Sequence, residues 1–313
     1  MVSALPRSAR CDELGGETTL FDKTDIYDYK KHLIDERGLS DNTVSSYIRD
    51  ITQFADYLFT SGKSDFAGVT EDDVRLFIRQ LETKGRSQAT ISRCIASLRA
   101  FFNHTADTGY MMRNPAAGIS PVSSAKKPPR ILSGDEIKRL LEQPVVSGAK
   151  GYRDKAMLET LYATGLRVSE LVALDESDAN LTTNLIVCRN GKERIIPIYA
   201  EAVRAIGNYL SFARGMMADP GEHALFVNAN GKRMTRQGLW KILKSYAEKA
   251  HISVDINPQI LRNSFAAHLL ENGADLQSLQ EMLGHTDIAS TQVFARAVKK
   301  HLKDVYKKAH PRA

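Results

Sequence analysis

Cysteine is scarce in this chain. Cys11, Cys94 and Cys188 are far apart and odd in number, so neither a disulfide framework nor a cysteine-based metal site can be built from them. Cys94 falls on an apolar helical stripe, where a thiol acts as a small hydrophobe. Long apolar runs are also missing. The opening stretch, MVSALPRSARCDELGGETTL, has no apolar core of signal-peptide length, and no later run is long enough to span a bilayer. These absences predict a soluble, cytoplasmic protein.

What is present points to two folded domains. The chain has 313 residues, more than one ordinary domain needs. A hydrophobic content of 42% allows each half a core, and a charged content of 26% argues against disorder. The net charge of +6 and the isoelectric point near 9.1 favour a polyanionic partner.

The hydrophobic pattern divides the chain. Residues 1–23 are polar and read as a flexible arm. Over 24–115 four helices are expected, the first near 25–37 and less regular than the rest. Val44, Tyr47, Ile48, Ile51, Phe54, Ala55 and Leu58 recur at three- and four-residue steps and form one buried stripe, with Asp41-Asn42 as its cap. Val74, Phe77, Ile78 and Leu81 repeat the pattern behind Thr70, and Ile91, Cys94, Ile95, Leu98, Phe101 and Phe102 repeat it behind Ser87. Together they make a small bundle. Residues 116–131 read as a linker, with Lys126 and Lys127 beside a proline pair and suited to a path along phosphates. Ser133 and Glu136 form a capping box that restarts helix. The second domain, 132–313, is expected to be mostly helical. Its one strand signal, Asn184–Cys188 and Glu193–Ile198, reads as a β-hairpin turning at Asn190-Gly191. Gly284 closes a helix that begins near Asp275. Beyond it a basic segment, 296–312, carries Leu302, Val305, Tyr306 and Ala309 on one stripe. The fold class is mostly α with a small β-sheet.

Two arginines stand out by their surroundings. Arg167 lies in YATGLRVSEL and Arg262 in QILRNSFAAH, each flanked by core-forming residues. A guanidinium held in such a setting needs an anion, and its planar fork suits a carboxylate or a phosphate. An internal pair with Glu170 or Glu159 would satisfy the same need.

The ordered set ATGLRVSEL, NGKERIIPI, LRNSFAAHLLENGADLQSLQEMLGH and TQVF resembles the tyrosine recombinase (phage integrase) family, most closely its bacterial Xer-type members. The likeness runs from about residue 25 to the end of the chain. It implies an N-terminal four-helix, SAM-like core-binding domain and an α-helical catalytic-type domain with a β-hairpin, which together form a C-shaped clamp on duplex DNA. It implies no metal or nucleotide cofactor. In that family a tyrosine attacks the phosphodiester, two arginines and a His or Trp hold its oxygens, and a hairpin lysine protonates the leaving oxygen. The resemblance also implies a tetramer on DNA, or a partner recombinase, docked through a C-terminal helix at 297–310.

Carried over residue by residue, the roles divide. Arg167, Arg262 and His285 match phosphate-binding positions. The nucleophile position is Phe294, the expected histidine is Gln259, and Asn263 replaces the histidine that usually follows the second arginine. The hairpin is two residues short, so its lysine position falls on Arg189, with Lys192 as the alternative. What survives can bind a phosphate, whereas what is missing moves protons or attacks phosphorus. This predicts a DNA-binding relative unable to cleave. A working recombinase is the other reading, through Tyr306 or with Phe294 as an exchange made in the laboratory. Arg86, Arg93 and Arg99, on or beside one N-terminal helix, are candidate DNA contacts.

Overall fold

The computed structural model describes residues 23–120, 129–253 and 255–284. It forms two compact units that divide between Lys126 and Lys127.

The first unit is the expected bundle. Its helices are α1 (Lys23–Asp35), α2 (Asp41–Thr60), α3 (Glu71–Thr83) and α4 (Gln88–Asp107). Thr70 and Ser87 cap α3 and α4 as the sequence predicts, and Thr70 is locked in a reciprocal box with Asp73. The cap of α2 is Ser40, not Asp41-Asn42. Its hydroxyl accepts from Thr43 N, one residue earlier than the acid-amide pair suggested. The three long stripes meet in a core rich in aromatics. Phe54 packs on Phe77 and Phe102, and Phe66 packs edge-on against Phe101. Each fully buried phenyl ring contributes about 1.5–3 kcal/mol.

The linker is shorter than composition suggested. Ala116 and Ile119 are buried in the first unit's core. Asn114 accepts from Ala116 N at 2.8 Å, and Arg99 donates to the Ile119 carbonyl. Residues that read as loop are instead part of the packed core. At the far end the Arg130 carbonyl accepts from Asn263 Nδ2 at 3.4 Å, within the second unit.

The second unit begins with α5 (Gly134–Glu142), opened by the predicted Ser133–Glu136 box. Next comes α6 (Ala149–Thr164), which is buried nearly all round and serves as the central post. It ends at Gly165, whose φ of 58° is the left-handed conformation that glycine tolerates. A Cβ there would lie 2.3 Å from a Phe265 ring carbon, so close packing demands glycine as well. Then follow α7 (Val168–Ala173) and a three-stranded antiparallel sheet, β1 (Ala179–Asn180), β2 (Leu185–Cys188) and β3 (Arg194–Pro197), in the order β1-β2-β3. The sequence did not predict β1. The hairpin also differs from the expected tight Asn-Gly turn. Cys188 pairs with Arg194, so five residues, 189–193, form the loop, with Gly191 at φ 89° inside it.

Helix α8 (Ala200–Tyr209) runs through a π-helical turn (Leu210–Arg214) into the short α9 (Gly215–Met217). The unit continues with α10 (Arg236–Lys249), α11 (Pro258–Glu271) and α12 (Leu276–Leu283). Asp275 caps α12 and Gly284 closes it at φ 63°, as the sequence predicts. Among the described residues no helix is long and apolar enough to cross a membrane.

Candidate functional site

The start of α7, strand β3 and helix α11 converge on one carboxylate. Arg167 is the N-cap of α7, and Glu170 lies one turn later. Glu170 Oε2 accepts from the Arg167 backbone N at 2.7 Å, and Oε1 accepts from Arg167 Nη1 at 2.9 Å. The acid thus serves an orphan N–H of the helix start while holding the arginine side chain. Arg194, from β3, adds two more bonds to it, at 3.1 and 2.9 Å. Arg262, from α11, brings Nη1 to 3.8 Å. The pairing expected of Arg167 is therefore with Glu170. Glu159 belongs elsewhere, bonded to Lys155 at 2.8 Å and to the Tyr199 hydroxyl.

Arg262 is almost wholly buried. Its guanidinium donates to the Gly165 carbonyl at 2.6 Å and to the Leu283 carbonyl at 2.7 Å. These are C-terminal carbonyls of α6 and α12, which have no partner inside their helices and carry the negative end of the helix dipole. The arginine therefore joins two helix ends.

Electrostatics follow from the crowding. Burial brings the Arg262 pKa down, the nearby Arg167 charge pushes it further, and it reaches about 10 while staying charged at neutral pH. Burial alone would raise the Glu170 carboxyl, but hydrogen bonds from Arg194 and the Arg167 backbone hold it below its ordinary value. One carboxylate among three guanidinium groups leaves an excess of positive charge. The Arg167 side chain is 46% exposed, whereas those of Arg194 and Arg262 are 7% and 3% exposed. The accessible edge of this excess is Arg167, and a phosphate-sized anion suits it.

The other candidates are dispersed. Gln259 sits in the first turn of α11 and donates to Asn263 Oδ1 at 3.0 Å. The two residues for which the resemblance implied histidine are thus bonded to each other. Arg189 is exposed on the hairpin loop and paired with Asp178. Lys192 is exposed on the same loop, and its carbonyl accepts from Arg194 at 3.2 Å. His285, Phe294, Lys126 and Lys127, and the segment 297–310, lie outside the described residues.

In the first unit, Arg93 is turned to the buried Asp50 at 2.7 Å and Arg99 to the Ile119 carbonyl, so both guanidinium groups serve the fold. Arg86 is exposed just before α4.

Sequence reasoning missed Arg194. A signal existed, because Arg194 has the same strand parity as Ile196, which is fully buried, and so points inward. It also missed the outer face of α10, where Arg236, Trp240, Lys241 and Lys244 are exposed and Lys244 lies over the Trp240 ring.

Comparison with known proteins identifies the family. The phage integrase family model matches residues 130–301, and the phage integrase N-terminal SAM-like domain matches 26–109. Tyrosine recombinase XerD of Oceanobacillus iheyensis is 45% identical over 293 residues, covering 92% of this chain and 98% of the relative. XerD of Listeria monocytogenes is 43% identical, covering 92% and 99%. Among solved structures, XerA recombinase is 27% identical with a TM-score of 0.53, covering 93% of this chain and 99% of the other. XerH bound to a palindromic difH substrate is 21% identical with a TM-score of 0.72, covering 90% and 83%. The chain belongs to the phage integrase family of tyrosine recombinases, in its Xer-type branch.

Proposed function

We propose that this protein binds duplex DNA at a specific site through its phosphates and does not cleave it. The observation that carries the reading is the three-arginine cluster around the single Glu170, with the outer edge of Arg167 exposed. The solved neighbours support a DNA partner, since one is described as XerH bound to difH and another as a lambda integrase dimer bound to a core site. Phe294 has no hydroxyl with which to attack phosphorus, and Gln259, tied to Asn263, has no basic nitrogen. His285 completes the phosphate grip in this reading. In this reading Arg189 and Lys192 place positive charge on the hairpin loop, the basic face of α10 adds to it within the same unit, and Arg86 and Lys126-Lys127 are further candidate phosphate contacts. The protein works in the cytoplasm, and residues 297–310 dock a second copy or a partner recombinase.

Two measurements test this. An electrophoretic shift on duplex DNA should show binding that weakens steeply with salt; its absence at low salt sinks the proposal. A nicked suicide substrate should give no covalent protein–DNA adduct on a denaturing gel. An adduct that disappears in Tyr306→Phe would establish an active recombinase instead.

A further inference from the structure

Arg194 is the best-connected side chain of the site. Its Nε donates to the Met282 carbonyl at 2.7 Å, in the last turn of α12. Its two Nη groups grip both oxygens of Glu170, and Nη1 also meets the Lys192 carbonyl at 3.2 Å and Cys188 Sγ at 3.3 Å. The flat guanidinium lies under Gly284, where an added Cβ would stand 3.0 Å from Nη1 and 3.1 Å from Cζ. One planar cation therefore ties together the hairpin loop, the start of α7 and the end of α12.

We propose that Arg194 is the positioning residue of the phosphate site: by gripping Glu170 at both oxygens it leaves the outer edge of Arg167 available to a phosphate, and by its other bonds it sets the hairpin loop against that edge. This rests on the phosphate-gripping reading above. The physical reason is competition for one anion. Glu170 is buried, and a buried carboxylate takes whatever cation lies nearest. With Arg194 forked across both oxygens, Arg167 needs to supply only Nη1 and keeps nearly half its side chain in solvent. Without Arg194, Glu170 draws Arg167 inward and the loop carrying Arg189 and Lys192 loses its anchor.

The test uses the full chain, a short mixed-sequence duplex and a salt series followed by fluorescence anisotropy. Arg194→Gln should bind roughly tenfold more weakly, the size of one charge-assisted bond. Its plot of log affinity against log salt should be shallower by about one. Adding Glu170→Gln to that variant should recover most of the affinity, because the competing charge is then gone. Arg194→Lys keeps a charge but not the fork, and should fall between the wild type and Arg194→Gln. It also serves as the deciding variant should Arg194→Gln fail to fold.

A second readout needs no DNA. Maleimide labelling of Cys188 should accelerate in either variant, with the buried Cys94 as internal standard. Wild-type affinity and salt slope in folded variants overturn the proposal, as does a loss of affinity that Glu170→Gln leaves unrescued. If the wild type itself binds no duplex, the phosphate reading fails separately. The thiol measurement then decides the loop-anchoring role, and an unchanged labelling rate refutes it.

Discussion

The two units bury polar groups in opposite ways. In the first, the core is a cluster of phenyl rings meeting edge-on or tilted, and Asp50, the one buried acid among the described residues of this unit, is answered by Arg93 and Ser97 at 2.7 and 2.8 Å. In the second, Arg153, Asp154, Glu159, Glu170, Arg214 and Arg262 are all buried, and their bonds join segments distant in sequence. One unit is held mainly by shape; the other is held as much by charge meeting helix ends. The difference teaches where to look for function. Burying charge is costly unless partners are well placed, and the second unit accepts that cost where its guanidinium groups converge.

The contrast can be broken by substitution. The largest effect is expected for Phe102→Ala, about 3–5 kcal/mol, because it opens a cavity among the three rings of Phe54, Phe66 and Phe101. The loss should appear in the helical circular dichroism of denaturant unfolding. The fluorescence of Trp240, the chain's single tryptophan, reports the second unit and should keep its midpoint. A shift of that midpoint by the same amount would show that the units do not unfold separately. Arg262→Met should do the reverse, costing about 3 kcal/mol in the Trp240 transition, since it strips partners from two helix ends and a cation from beside Glu170.

Smaller changes sharpen the comparison. Gly284→Ala places a methyl against Arg194 at a φ of 63° and should cost about 1–2 kcal/mol, again read through Trp240. Thr70→Ala removes the α3 cap and should cost about 1 kcal/mol in the first unit alone. The mildest effect is a pH dependence. Glu170 is held below its ordinary value in the folded protein, so on acidification the unfolded chain binds the proton first. Its contribution is complete at neutral pH and is lost as pH falls through the folded value. The difference in melting temperature between wild type and Glu170→Gln should therefore narrow below about pH 4. A difference that stays constant into strong acid would mean that the Glu170 charge does not contribute.

The same contrast explains what the sequence discloses. The stripes of α2, α3 and α4, with their Thr70 and Ser87 caps, were legible because helical periodicity and capping are local. So was the closure of α12 at Gly284. Arg167 and Arg262 were legible as candidates because each is a charge embedded in an apolar stretch. Their common partner was narrowed to two acids, and distance in space decided between them. Arg194 was hidden, since its bonds reach α7 and α12 across the fold and only strand parity marks it. Strand β1 was too short for a pattern, and Ala116 and Ile119 looked like linker because the alanine, glycine, serine and proline around them dominate the local composition. Arg93 and Arg99 show the opposite failure, where exposed-looking cations serve internal partners.

The Gly165, Met282 and Leu283 carbonyls that receive guanidinium groups give the arginines of the site a second duty. An arginine that fastens two helix termini serves the fold whether or not an anion is bound beside it. Arg194 and Arg262 are thus fixed by neutral backbone oxygens as well as by Glu170, so a change at either position is felt in the helix termini before it is felt by any ligand.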